Sequence, residues 1–241
     1  MTSKTSKTSK KVSSEKVVAA KLHWANAQLG YRFKNSDLLE QALTHRSASK
    51  KNNERLEFLG DALLSFVVAQ KLFNVKDAES EGDMSRMRAE LVKGETLADI
   101  GRELELESHV IIGAGEQNSG GGRRSSVLAN AVEALIGGIL LDGGFAEAEK
   151  CINRLIGDRF EMLPDAASLK DAKTKLQEWL QARGLGLPEY NVSSMEGPPH
   201  KRTFIIQCSV GEDAVMGHGL SRRNAEQDAA KHMLSALTHD N

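Results

Sequence analysis

From about Ser14 to Met162, apolar residues recur at helical spacing. Val17, Val18, Leu22, Ala25 and Leu29 form one such stripe. Ser36 reads as the N-cap of a short helix carrying Leu38, Leu39 and Leu43. A long apolar helix is predicted over 52–73, and another starts near Gly82 with Met84, Met87, Leu91 and Val92. Leu97, Ile100 and Leu104 mark the next. GEQNSGGGRRSS has the composition of a glycine-rich loop, followed by a helix from about Ser126 to Leu141 and a last one in FAEAEKCINRLIGDRFEML. No strand alternation interrupts the series, so an all-α domain is expected.

LPDAASLKD has the composition of a linker, and beyond it the pattern changes. KTKLQEWLQARG reads as a helix ended by Gly184. A strand begins at Tyr190, Asn191 and Val192. In TFIIQCSV, Phe204, Ile206, Cys208 and Val210 alternate with polar residues, as in a half-buried strand, and DAVMGHG is a third. SRRNAEQDAAKHMLSAL is a helix with Ala225, Ala229, Met233 and Leu237 on one side. The order α-β-β-β-α predicts a second, small α+β domain.

The segment NNERLEFLGDALLSFVVA raises a chemical question, because Glu54, Glu57 and Asp61 enter an otherwise apolar helix. At about 100° per residue they fall within about 60° of one another. The stripe Leu56, Leu59, Leu63, Phe66 and Val67 lies opposite, which by itself describes a solvated acidic face. Yet past Asp61 the acid face turns apolar, with Leu64, Val68 and Ala69. A helix apolar on every side is buried, and buried carboxylates need partners. Arg55 is the one base nearby and cannot balance three acids. VLANAVEALIGGILL has only two polar side chains, Asn130 and Glu133, on one face with the small Ala134 and Gly137. Packing the two helices together would pool Glu57, Asp61, Asn130 and Glu133 around a cation, and an all-oxygen set suits Mg²⁺ or Mn²⁺. A di-iron bundle would want His three residues after Glu57 and Glu133, where Gly60 and Ile136 stand.

Composition narrows the class. The 241-residue chain has a formal net charge of −1, so bulk charge does not announce a nucleic-acid binder. Cys151 and Cys208 cannot make a disulfide framework and are expected buried and free, as in a reducing compartment. MTSKTSKTSKK has nothing to bury and is expected to be a disordered tail. Lysines without an apolar run after them are not a secretory signal, and no charge-free stretch of about 18 apolar residues suggests a membrane span. The expectation is a soluble, cytoplasmic protein with no membrane partner.

These blocks carry a family resemblance. NERLEFLGDALL resembles the signature helix of ribonuclease III, and QALTHRS, EGDMSRMRAELV and VLANAVEALIGGILLD resemble its flanking blocks in order and spacing. GPPHKRTF and GHGLSRRNAEQDAA are similar to a double-stranded-RNA-binding domain. The resemblance implies a disordered tail (1–15), an all-α endonuclease domain (16–162), a linker (163–170) and a small α+β RNA-binding domain (171–240). It implies a homodimeric, Mg²⁺-dependent endoribonuclease that cuts double-stranded RNA to 5′-phosphate and 3′-hydroxyl ends. Ribosomal RNA precursors and other structured RNAs, messenger and transfer RNAs among them, are the implied targets.

By position, Asp61 and Glu133 match the central catalytic acids, Glu57 a further metal-site acid, and Glu54 and Glu81 supporting acids. Asn130 stands where the family usually has Asp; it keeps a carbonyl oxygen for metal but loses a charge. Every other acid is present, so a working enzyme is expected. The alternative is a duplex-binding protein that does not cleave, its metal site weakened at Asn130. For RNA contact, Arg222 and Arg223 open a helix where cations oppose the dipole unless they meet phosphates, and His200 tips the GPPH loop. Thr174, Gln177 and Glu178 join them by family analogy. His45 in THRS is expected to be structural, a cap or a hydrogen-bonded side chain, and Trp24 and Trp179 core or interface residues. Gly60 is expected to permit close packing.

Overall fold

A computed structural model describes residues 4–117, 124–198 and 201–239, with side chains over 16–238 of these. Backbone contacts divide the chain into two units, Met1–Ala166 and Ala167–Asn241. In the first unit the helices are α1 (Lys4–Leu29), α2 (Ser36–Leu43), α3 (Glu54–Val75), α4 (Glu81–Val92), α5 (Gly94–Glu103), α6 (Ala114–Gln117), α7 (Ser125–Gly143) and α8 (Phe145–Glu161). An isolated bridge joins Thr44 to Ile111. The expected all-α domain is the observed one.

Helix α7 is apolar around most of its circumference and is buried accordingly, packed by α2, α3, α5 and α8. Its composition would suit a membrane span, as would that of α3, but the two pack against each other at the centre of this unit. Trp24 is buried in the core and donates from Nε1 to the Leu104 carbonyl at 3.0 Å. Three expectations are corrected. Helix α1 begins at Lys4, inside the stretch expected to be a disordered tail, because elongating a helix adds one hydrogen bond per residue once the Val17–Leu29 portion has formed. The cap of α2 is Asn35, not Ser36: its side-chain oxygen accepts from the Asp37 N–H at 3.0 Å. Phe66, placed in the core stripe of α3, is 55% exposed, because the buried face of that helix runs through Leu56, Gly60, Leu63, Leu64, Val67, Val68 and Leu72 and leaves Phe66 outside it. Of the glycine-rich loop, residues 118–123 lie outside the described residues, while Gly115–Gln117 belong to α6.

The single turn α9 (Ala166–Leu169) starts at the last residue of the first unit, and the second unit holds the rest of it. The second unit continues through α10 (Ala172–Gln181), β1 (Glu189–Glu196), β2 (Thr203–Val210), β3 (Asp213–Gly219) and α11 (Arg222–His239). The strands form an antiparallel sheet in the order β1-β2-β3, with Tyr190 opposite Cys208 and Ile206 opposite Gly217. Ile206, Cys208 and Val210, the apolar half of the β2 alternation, pack with Leu176 and Leu180 of α10 and Ala229 and Met233 of α11. This is the expected α+β domain. Cys151 and Cys208 are both buried and free.

Candidate active site and RNA-binding surface

The acids meet because α3 and α7 touch backbone to backbone. A Cβ on Gly60 would lie 1.8 Å from the Glu133 carbonyl oxygen, and one on Gly137 would lie 2.2 Å from that of Leu56. No side chain larger than hydrogen fits at this crossing. Around it, Glu57 and Asp61 of α3 and Asn130 and Glu133 of α7 line one cavity of about 650 Å³, with Glu54 at its rim. The four residues that the two apolar helices were expected to pool are brought together.

The electrostatics show how crowded the carboxylates are. Burial, and then the charges of Asp61 and Glu57, push the Glu133 carboxyl up to about 7. Burial and the neighbouring Glu54 raise Glu57, while a hydrogen bond from Asn130 and the charge of Arg46 pull it back. One wall of Asp61, Glu57 and Glu133 thus carries more negative charge than the protein neutralises. The donors are all oxygens, as a hard divalent cation requires. Among the described residues no three His, Cys, Asp or Glu side chains already stand within reach of one ion. The acids ring the cavity, and an ion would draw them inward by rotation about their side-chain bonds.

In the second unit, Thr174, Gln177 and Glu178 share a face of α10, spaced three and four residues apart, with Gln177 and Glu178 exposed. Asp171 caps the helix by accepting from the Thr174 N–H at 2.9 Å. Glu178 is held by Lys170 at 2.6 Å. Arg222 and Arg223 are exposed in the first turn of α11. The start of α11 lies beside the start of α10: Glu226 bonds both Arg222, at 2.9 Å, and Lys173, at 2.7 Å. His200 lies outside the described residues.

Comparison with known proteins agrees with both halves. A ribonuclease-III-like family model matches residues 35–159, and the double-stranded RNA binding motif matches 172–237. Ribonuclease 3 of Nitrosococcus oceani is 51% identical over 218 residues, covering 89% of this chain and 94% of that protein. The chain belongs to the ribonuclease III family. Ribonuclease 3 of Vibrio cholerae is 50% identical, covering 88% of this chain and 96% of its own. A solved nuclease domain of ribonuclease III from Campylobacter jejuni aligns with a TM-score of 0.56 at 42% identity, covering 58% of this chain and 99% of that one. The description of that structure concerns flexibility in a region involved in dimer formation. The chain is accordingly an endoribonuclease with an attached double-stranded-RNA-binding domain.

Within this ribonuclease III chain, Glu81 is not brought to the acid cavity. It stands in the first turn of α4, accepts from Ser85 Oγ at 2.8 Å, and lines a separate apolar pocket with Phe66, Phe73 and Met84. Conversely, His45 and Arg46 of the THRS turn do line the acid cavity. Arg46 Nη1 lies 3.6 Å from Glu54 Oε1 across an exposed rim, a weak pairing. Arg46 has no helical period to mark it, and the signal for it was the turn's position just before the acidic helix. Asn53 and Ser126 also line the cavity, at the starts of α3 and α7.

Proposed function

We propose that this endoribonuclease is Mg²⁺-dependent, with Mn²⁺ an acceptable substitute, and hydrolyses duplex RNA as a homodimer. The observation that carries the reading is the shared cavity of Glu57, Asp61, Asn130 and Glu133, in which Glu133 is pushed up to about 7 by burial and its acidic neighbours. Glu57, Asp61 and Glu133 supply the negative charge that holds a divalent ion; Asn130 adds a neutral carbonyl oxygen. The chemistry an ion supplies at such a site is a water of lowered pKa and neutralisation of charge at the phosphate. Glu133 must release its proton before it binds a cation, and Asp61 and Glu133 orient the attacking water. The water oxygen joins phosphorus, the bond to the 3′ oxygen breaks, and the products carry 5′-phosphate and 3′-hydroxyl ends.

A duplex has two strands, and a two-fold pair of chains offers one cavity to each. In support, Phe58, Phe66 and Phe73 of α3 are 79%, 55% and 71% exposed, an aromatic row too apolar for an ordinary surface. A partner packed on that row would lie beside Glu81, which would then join the supporting acids with Glu54. In the second unit, which we take to be an independent domain after a linker over 163–170, the face of Thr174, Gln177 and Glu178 reads the duplex by its shape. Arg222 and Arg223 meet phosphates, and His200 enters a minor groove. Ribosomal RNA precursors and other structured RNAs in the cytoplasm are the proposed substrates.

The test is incubation of purified protein with a long RNA duplex, with Mg²⁺ and with chelator, followed by end analysis. Cleavage to 5′-phosphates by the wild type with Mg²⁺, and none by Asp61→Asn, is expected. Tight binding without cleavage in Mg²⁺ or Mn²⁺ would establish instead a non-cleaving RNA-binding protein, weakened at Asn130.

A further inference from the structure

The THRS turn between α2 and α3 is anchored at more points than a connection requires. The His45 N–H donates to the Ile111 carbonyl at 2.8 Å, the Ile111 N–H donates to that of Leu43 at 2.8 Å, and the Asn53 N–H donates to that of Thr44 at 2.9 Å. These bonds fix where the His45 ring sits, against the acid cavity.

A second set of bonds fixes which nitrogen of the ring holds its proton. The Ser47 backbone N–H donates to His45 Nδ1 at 3.2 Å, and Ser47 Oγ lies 2.8 Å from the same nitrogen. Ser47 Oγ in turn accepts from the Gly113 N–H at 2.9 Å, which frees its own proton for the ring. A nitrogen that accepts hydrogen bonds carries no proton, so the neutral imidazole bears its proton on Nε2. That nitrogen has no partner among the described residues and is not sealed from solvent.

The cavity otherwise presents mainly repulsion to a phosphate. Glu54, Glu57, Asp61 and Glu133 are acids, the Asn130 amide is spent on Glu57, and the cation Arg46 stands at the exposed rim beside Glu54. An anionic substrate needs donors on the lining as well, and a preset N–H loses nothing to reorientation on binding. We propose that His45 contacts the substrate, its Nε2–H donating to a non-bridging oxygen of the phosphate held in the acid cavity, with Ser47 the positioning residue that sets the tautomer. A neutral imidazole N–H is a hydrogen-bond donor here rather than a general acid, and no proton leaves it during the reaction. The inference rests on the endonuclease reading of this cavity.

The test has three arms. His45→Phe keeps the ring and removes the donor; it is expected to lower single-turnover cleavage about 100-fold. Duplex binding in chelator should stay near the wild-type value, while the melting midpoint is expected to fall slightly and by the same amount in Ser47→Ala, because both variants lose the bonds at Nδ1. His45→Gln, whose amide reaches the position of Nε2, is expected to recover most of the rate. Sulfur in place of one non-bridging oxygen at the scissile phosphate should slow the wild type and slow His45→Phe less. The tautomer is read directly by ¹⁵N NMR of histidine-labelled protein: protonation at Nε2 is expected in the wild type, and a mixture in Ser47→Ala. Wild-type cleavage by His45→Phe, a loss that His45→Gln does not recover, or a ring protonated at Nδ1 would each overturn the proposal. Failure of the wild type itself to cleave would instead remove the endonuclease reading, and the NMR arm would still report the tautomer.

Discussion

The two units place functional side chains in opposite ways. In the first, Glu57 and Asp61 come from α3 and Asn130 and Glu133 from α7, some 70 residues later, and backbone contact at Gly60 makes them neighbours. Burial then alters their chemistry, as Glu133 at about 7 shows. In the second, Thr174, Gln177 and Glu178 follow one another along a single helix, and Arg222 and Arg223 are adjacent in the chain. The charges of the two arginines stand in solvent, with Arg222 paired to the half-buried Glu226. Hydrolysis needs groups converging on one atom, which takes a packed scaffold; reading the shape of a duplex needs an exposed surface of the right spacing.

The contrast can be broken at its strongest point first. Asp61→Asn is expected to lower cleavage by at least about 100-fold while leaving duplex binding intact, because the first unit supplies chemistry and the second affinity. A parallel loss of binding in a gel-shift assay would mean the two roles are not separable. Next, Gly60→Ala should destabilise the fold by about 3 kcal/mol or more, since the new methyl group would meet the Glu133 carbonyl. Gln177→Ala, on an exposed face, should leave the melting midpoint unmoved. Equal midpoints for the two variants in a thermal melt would refute the close crossing.

Removing Arg222 and Arg223 together should weaken duplex binding roughly 10-fold and reduce the slope of log K against log salt by about 1 to 2. A salt titration reads both effects. Cleavage at low salt should persist.

The pH dependence has a definite sign. Glu133 titrates at about 7 when folded, against 4.5 when unperturbed, so its proton stabilises the metal-free fold fully below pH 4.5. That contribution fades as pH rises to about 7. Wild-type protein in chelator should therefore lose melting temperature over this window relative to Glu133→Gln, and identical profiles would show that Glu133 is not buried among like charges. The Mg²⁺ concentration needed for cleavage should fall over the same rise in pH, because the proton competes with the ion. The smallest effect is expected from Asn130→Asp, which restores a charge to the ring and should lower the Mg²⁺ requirement a few-fold. An unchanged requirement would place Asn130 outside the metal's ligands.

Much of the site was legible because each clue was local. Two polar residues in the apolar stretch 127–141 of α7 are anomalous on any reading, as are three acids at the head of α3, and Gly60 between two of them foretold the close approach. Phe66 was misplaced because periodicity shows that a helix face is apolar, not whether anything covers it. The THRS motif predicts a structural His45, and the ring does bond Ser47; that it also lines the acid cavity depends on where the turn docks. Glu81 carries no sequence sign of how far it lies from Glu57, since chain spacing across a turn does not measure distance.

The sequence alone determined the two classes of domain, the oxygen-donor identity of the site and the pair of arginines that opens the last helix. Those follow from periodicity and side-chain chemistry, which act over a few residues. Only the tertiary structure decided that α3 and α7 touch at Gly60 and Gly137, that Glu133 titrates near neutrality and that His45 faces the acids. Each of these depends on burial and on contact between segments far apart in the chain, and no local pattern encodes the distance between them.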